Sequence, residues 1–250
     1  DTAFILRNEG GRDFAPPLAL TGFSWPSAIA VGDLNLDGIP DLAVADNPND
    51  IERTGASILL GQSGGEYAEA DFVALAPPAY DVAILDVDGD GIPDIAGSHA
   101  FASNLGDGTF RTVRTEAVGD WPTAAAIGDL NGDEYADVAT ANYVGETVSV
   151  LFSHGDGSFS ASTEHPGGNF SYGADVALGD VNHDGFLDIA VPGRVLLNDG
   201  AGQFNEVAYI HAGLATIVEL ADFNGDGHLD IVSAINNSSN LVVSLNDGDG

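Results

Sequence analysis

An acidic nonapeptide recurs five times in this chain, each copy running into a short β-branched stretch, and nothing else constrains the fold as tightly. The copies are DLNLDGIPD (33–41), DVDGDGIPD (86–94), DLNGDEYAD (129–137), DVNHDGFLD (180–188) and DFNGDGHLD (222–230). Every copy places Asp or Asn at loop positions 1, 3, 5 and 9. Alternate side chains in a tight loop converge on one point, and several hard oxygens at one point are what Ca²⁺ requires. Without a cation, such carboxylates repel by roughly 1 kcal/mol per pair even in water. A solvated turn using Asp, Asn and Gly for local hydrogen bonds would account for one copy. Five copies in register point to metal sites.

The spacing also says which kind of site. An EF-hand needs a bidentate acid at position 12 and a helix on either side. Position 12 is Val44, Gly97, Thr140, Val191 and Ser233, so that geometry is excluded in all five copies. The ninth-position Asp instead opens a strand, as in DLAVAD or DVATAN. The expected ligands of the first loop are Asp33, Asn35, Asp37 and Asp41, with the Ile39 carbonyl. In the second they are Asp86, Asp88, Asp90 and Asp94 with Ile92, and in the third Asp129, Asn131, Asp133 and Asp137 with Tyr135. The fourth offers Asp180, Asn182, Asp184 and Asp188 with Phe186; the fifth offers Asp222, Asn224, Asp226 and Asp230 with His228.

The acids number 39 against six arginines, with no lysine, for a net charge of −33. The five loops hold only 16 of the aspartates, so the acid excess extends beyond them. Such a surface repels phosphate backbones and argues against a nucleic-acid partner. No apolar run approaches the ~18–20 residues of a membrane-spanning helix. There is no cysteine, so disulfides are excluded and calcium is left to do the stapling. The chain begins at Asp1 without Met, which leads us to expect that a leader or upstream segment has been removed.

A second element alternates with the acidic loops: NEGGRDF (8–14), GQSGGEY (61–67), NLGDGTF (104–110), SHGDGSF (153–159), NDGAGQF (198–204) and NDGDG (246–250). Each is a Gly-rich turn following an apolar strand, which suits a hairpin. The unit is therefore strand, acidic loop, strand, turn, strand, Gly-rich turn, strand. First strands such as SAIAVG and ADVALG are small apolar runs fit for burial on both faces, whereas fourth strands such as TFRTVRTEAV alternate with polar residues and should lie outermost. Four short strands per 40- to 50-residue repeat predict an all-β fold, a β-propeller of antiparallel blades.

On these residues the chain resembles the FG-GAP/VCBS repeats, over nearly its whole length. That resemblance implies the calcium-carrying blades found in integrin α-chain propellers and in many secreted microbial proteins. The third loop departs from the pattern, with Glu134 in place of the loop glycine, so its site is expected to be the weakest. The second, with Asp88 where the others have Asn, is expected to bind best.

One domain, 1–250, is expected, with blades near 21–76, 77–119, 120–168, 169–213 and 214–250. Residues 1–20 read as strands of a closing or preceding blade. First-position aspartates are 53, 43, 51 and 42 residues apart, consistent with duplication of a two-blade unit. The chain is thus a five-bladed ring or part of one with up to eight blades. Closure as five blades would use residues 12–20 as the outer strand of the last blade, leaving Phe4–Arg7 redundant with Leu241–Leu245.

Other motifs have plainer accounts. GQSGG (61–65) matches a nucleophile elbow, but Ser63 aligns with Gly106, Gly155 and Gly200 in an ordinary turn. His99, His154, His165, His183, His211 and His228 show no zinc-site spacing, and the side chains of His183 and His228 should point outward. Trp25 and Trp121 open blades 1 and 3, and Tyr80 and Tyr172 occupy roughly the same entry in blades 2 and 4, which favours packing between blades over stacking on a sugar. Arg111 and Arg114 are expected to be solvated. Sequons at Asn169, Asn236 and Asn237 matter only in a eukaryotic secretory setting.

The expected role is a secreted or cell-surface, non-catalytic module for binding, adhesion or surface assembly, holding about five structural Ca²⁺ ions. Its partners would be carbohydrates or protein surfaces. A lyase-type, polysaccharide-active enzyme is the alternative. A further one is a homo-oligomer or filament formed by exchange of the terminal strands.

Overall fold

The structure is a computed structural model that describes residues 2–11, 13–46, 54–75, 80–168, 170, 175–209, 215–235 and 240–248. Tyr172, His211, the sequon residues Asn169, Asn236 and Asn237, and the terminal Gly250 lie outside the described residues. Every regular element described is a strand, and no helix is long and apolar enough to cross a membrane.

The chain opens with β1 (Thr2–Ile5), β2 (Asn8–Gly10), β3 (Asp13–Phe14) and β4 (Leu18–Thr21). The first full sheet follows: β5 (Pro26–Gly32), β6 (Asp41–Asp46), β7 (Gly55–Gly61) and β8 (Tyr67–Ala74). The second comprises β9 (Val82–Leu85), β10 (Asp94–Gly97), β11 (Ala100–Asn104) and β12 (Phe110–Thr115). The third comprises β13 (Pro122–Gly128), β14 (Asp137–Asn142), β15 (Thr147–Leu151) and β16 (Thr163–Pro166). The fourth has β17 (Ala177–Gly179), β18 (Asp188–Val191), β19 (Arg194–Leu197) and β20 (Glu206–Tyr209); the fifth has β21 (Ala215–Ala221), β22 (Asp230–Ile235) and β23 (Leu241–Ser244).

Each of these sheets is an antiparallel meander whose spatial order is its sequence order. The acidic loops join first to second strands, and the Gly-rich turns join third to fourth. The fifth sheet has three described strands, with β23 at its edge, while β1 pairs with β4. β1 and β4 form a two-stranded sheet of their own among the described residues.

The second strands β6 and β14 are buried at every residue, their polar ends Asp41, Asp46, Asp137 and Asn142 included. Alternate side chains of each sheet face different neighbours. Ala43, Ala45, Ala56 and Ile58 of the first sheet meet Val82, Ile95 and Ala102 of the second. The opposite face of β6, Leu42 and Val44, meets Ala3, Leu20 and Phe23 of the N-terminal segment. The same arrangement recurs along the chain. Val87, Ala96 and Phe101 pack on Val138 and Leu151; Val148 and Val150 on Ile189 and Leu196; Ala190 and Val195 on Val218 and Ile231. Small alanines let successive sheets approach closely, and each larger side chain buried there contributes about 1.5–3 kcal/mol.

Two faces have no such cover among the described residues. At one end Ile29 and Val31 of β5 lie exposed beside Phe4, in an apolar recess floored by Leu20 and Leu42. At the other, Ile217, Leu241 and Val243 lie exposed on the fifth sheet.

Candidate metal centres

All five acidic loops adopt one conformation. Positions 4 and 6 are left-handed in every copy, including the non-glycine residues Leu36 (φ 59°), His183 (φ 59°) and Glu134 (φ 72°). These two bends wrap the loop around its first aspartate. Asp86 accepts from the Gly89 amide at 2.7 Å and the Gly91 amide at 2.8 Å. Asp129 and Asp222 take the corresponding amides, whereas Asp33 and Asp180 take the position-5 amides of Asp37 and Asp184 together with those of Gly38 and Gly185. The exposed fifth-position carboxylates each accept the position-7 amide at 2.8–2.9 Å, so Ile39, Ile92, Tyr135, Phe186 and His228 are held at the loop rim. The Gly-rich turn of the same sheet abuts that rim. A Cβ on Gly155 would lie 2.2 Å from Tyr135 and one on Gly200 2.4 Å from Phe186, so glycine is needed there for close approach.

The ninth-position aspartates form the floor. Asp41, Asp94, Asp137, Asp188 and Asp230 are at most 1% exposed. Each accepts two backbone amides at 2.7–3.0 Å, one from loop position 2 and one from the end of the third strand. A single carboxylate thus ties three stretches of chain together. Burial pushes the Asp94 carboxyl up to about 6 despite its two amides, with Asp88 and Asp90 adding repulsion. Burial likewise raises Asp137 to about 6, against its amides and with help from Asp133 and Asp129, and it raises Asp188. Asp129 goes the other way: burial raises it, but the loop amides together outweigh burial and hold it below the usual range.

Position 3 separates the loops. In four copies an Asn amide donates to the fifth-position carboxylate at 2.8–3.1 Å. The oxygen of the same amide accepts the position-5 backbone amide at 2.8–3.1 Å. The second copy has Asp88, and there oxygens of Asp86, Asp88 and Asp94 lie within 4.8 Å of one another. Asp88 Oδ1 is buried without any hydrogen-bond partner. The third sheet's Gly-rich turn closes over this loop: a Cβ on Gly157 would stand 3.0 Å from Asp88 Cβ, and one on Gly89 2.7 Å from the Gly155 carbonyl. A hard divalent cation fits this donor set, since three converging carboxylates with one orphan oxygen need a positive partner.

The structure adds residues that the sequence reading passed over. Asn104 Nδ2 donates to the Pro93 carbonyl at 2.8 Å in its own sheet, and at 2.7 Å to the Leu34 carbonyl in the preceding sheet's acidic loop. Asn198 reaches Leu130 and Asn246 reaches Val181 in the same way. The signal was the Asn that opens the Gly-rich turns of the second, fourth and fifth sheets, where Gly61 and Ser153 open those of the first and third. At the far end of the first strands, Asp81 accepts from the Ala125 amide at 3.1 Å and Asp175 from the Val218 amide at 3.0 Å, each in the next sheet. Burial raises both carboxyls, and each Asp stands five residues before its loop, where Ala28, Ala124 and Ile217 occupy the other copies.

Three expectations are corrected. Trp25 and Trp121 are 58% and 57% exposed and do not pack between sheets, because the chain ahead of β5 and β13 turns their rings outward. His183 and His228 do not both point away: their rings lie 4.7 Å apart, His183 Nε2 is 3.0 Å from the Gly227 carbonyl, and His228 Nδ1 is buried. Arg114 is not simply solvated but donates to the Gly157 carbonyl of the third sheet. Ser63 lies in a hairpin turn closed by the Gln62 and Gly65 amides.

The FG-GAP-like repeat family matches residues 86–140 and 129–191. No curated protein sequence matches the chain. Among solved structures, the V. cholerae biofilm matrix protein Bap1 superposes with a TM-score of 0.58 at 20% identity, over 91% of this chain and 38% of that one. The Pseudomonas aeruginosa periplasmic gluconolactonase PpgL gives 0.50 at 17% identity, over 87% of this chain and 65% of that one. The chain thus spans less than two thirds of either protein, and at these identities the likeness shows fold alone. The match takes in the second, third and fourth acidic loops, so residues 86–191 are FG-GAP-like repeats.

Proposed function

We propose that this chain is a calcium-stabilised β-propeller module that works outside the cell in binding, adhesion or surface assembly, without catalysis of its own. The five sheets would be its blades, and 1–250 one domain. Each acidic loop would hold one Ca²⁺ through the oxygens at positions 1, 3, 5 and 9 and the position-7 carbonyl. The observation that carries this reading is the Asp86–Asp88–Asp94 cluster with its orphan Asp88 oxygen. The location follows from concentration. Sites with Kd near 10⁻⁴–10⁻³ M fill at millimolar Ca²⁺ and stay empty in cytosol. Filled, each adds about 1 kcal/mol by mass action. The fold it shares with a biofilm matrix protein is in keeping with that setting.

Calorimetric titration of chelator-stripped protein with Ca²⁺, paired with thermal melting, tests the proposal. About five equivalents bound and a large rise in melting temperature are expected. Unchanged melting in chelator would overturn it.

A further inference from the structure

The two tryptophans sit at the end of the array opposite the acidic loops. Trp25 and Trp121 directly precede β5 and β13, whose other ends run into Asp33 and Asp129, seven extended residues and about 23 Å away. Both indoles are more than half exposed. Trp121 holds a left-handed backbone, φ 61°, which a non-glycine residue adopts only when its surroundings impose it.

The surroundings hold that conformation. The Tyr143 amide donates to the Trp121 carbonyl at 2.9 Å, and the Val144 and Gly145 amides donate to the Asp120 carbonyl at 3.2 and 3.3 Å. The Gly119 amide donates to Ser149 Oγ at 2.9 Å. Residues 119–121 and the turn at 143–146 are thereby zipped into one platform. It presents an indole, the exposed Val144, and two exposed carboxylates, Asp120 and Glu146. An aromatic face is electron-rich, and a cation over it is attracted by the ring quadrupole. Exposed carboxylates on the same platform add to that attraction, and the chain's net charge of −33 steers cations toward it.

We propose that Trp121, Asp120 and Glu146 form a receptor for the guanidinium or ammonium groups of a basic polypeptide segment, with Trp25 as a second point of attachment. The proposal rests on the binding-module reading and supplies the chemistry of the partner. Two anchors on alternate sheets would act together on one extended segment, which raises affinity without new contacts.

These two indoles are the chain's only ones, so fluorescence reads the site directly. In the Ca²⁺-loaded chain carrying Trp25→Phe, titration with deca-arginine at 0.15 M salt should give a saturable change in Trp121 emission. By calorimetry under the same conditions, Trp121→Ala should weaken deca-arginine binding about threefold to fivefold. The Asp120→Asn, Glu146→Gln pair should weaken it further, while Asp71→Asn, on the outer strand β8, should leave it unchanged. Equal binding by Trp121→Ala and its parent would reduce the effect to net charge and overturn the proposal. Emission that responds to a neutral oligosaccharide and not to deca-arginine would overturn it in favour of a sugar site. Melting enters neither readout, so failure here is distinguishable from failure of the calcium sites.

Discussion

Within the second acidic loop, Asp94 and Asp90 are four residues apart and live in different surroundings. Asp94 is 1% exposed and accepts the Val87 and Asn104 amides, which holds loop and strand ends together whether or not a cation is present. Asp90 is exposed, and it accepts locally, from the Ile92 amide two residues on. The same division into floor and rim recurs in all five loops. The floor is part of the fold, and the rim makes electrostatic sense only with a cation inside it.

Removing the metal should have the largest effect, because it strips every rim at once. With about 1 kcal/mol per site, chelation should cost about 5 kcal/mol and lower the melting temperature by roughly 10–15 °C. A shift of a degree or two would break the comparison. Next comes Asp94→Ala, which leaves two buried amides without acceptors and should cost about 3–5 kcal/mol in urea unfolding even in chelator, and more with Ca²⁺, when a ligand is lost as well. Asp90→Ala should cost stability only when Ca²⁺ is present. Equal losses for the two variants in chelator would erase the distinction between floor and rim.

Acidity sharpens the contrast. Burial first, then neighbouring carboxylates, raise Asp94 and Asp137 from an unfolded value of 3.8 to about 6. Stability from these groups is therefore complete below pH 3.8 and lost as pH rises through 6. Metal-free protein should accordingly melt higher at pH 5 than at pH 7. Ca²⁺-loaded protein should show the reverse, because protons then compete with the cation. Two melting curves with the same slope against pH would contradict this. The smallest expected effect is in the third loop, where Glu134→Gly relieves a left-handed non-glycine residue and should stabilise by about 1 kcal/mol.

The loops and the order of strands could be read from the sequence because carboxylates at fixed spacing, followed by β-branched runs, admit few other structures. The second loop's distinction was legible for the same reason: Asp88 is a carboxylate where its counterparts are amides. Other features escaped because their meaning is not local. Asn104, Asn198 and Asn246 look like ordinary turn residues, and only the packing of one sheet on the next brings a carbonyl within their reach. The left-handed bend at position 4 was hidden because Leu36 and His183 occupy it alongside glycines. Recurrence of Trp25 and Trp121 at equivalent sites suggested burial, but equivalent positions fix direction along the strand and not the neighbour that the ring meets.

The three asparagines that donate to the preceding loop's second residue have a thermodynamic consequence. Leu34, Leu130 and Val181 sit one position after the first aspartate of their loops, so a cation filling one proposed cage would also firm the hydrogen bond by which the next repeat is registered. Where Ser153 takes the place of asparagine, between the second and third repeats, that relay is missing. Loading would then advance in two cooperative blocks, repeats one and two and repeats three to five, and a chelator would part the array first at the junction between them.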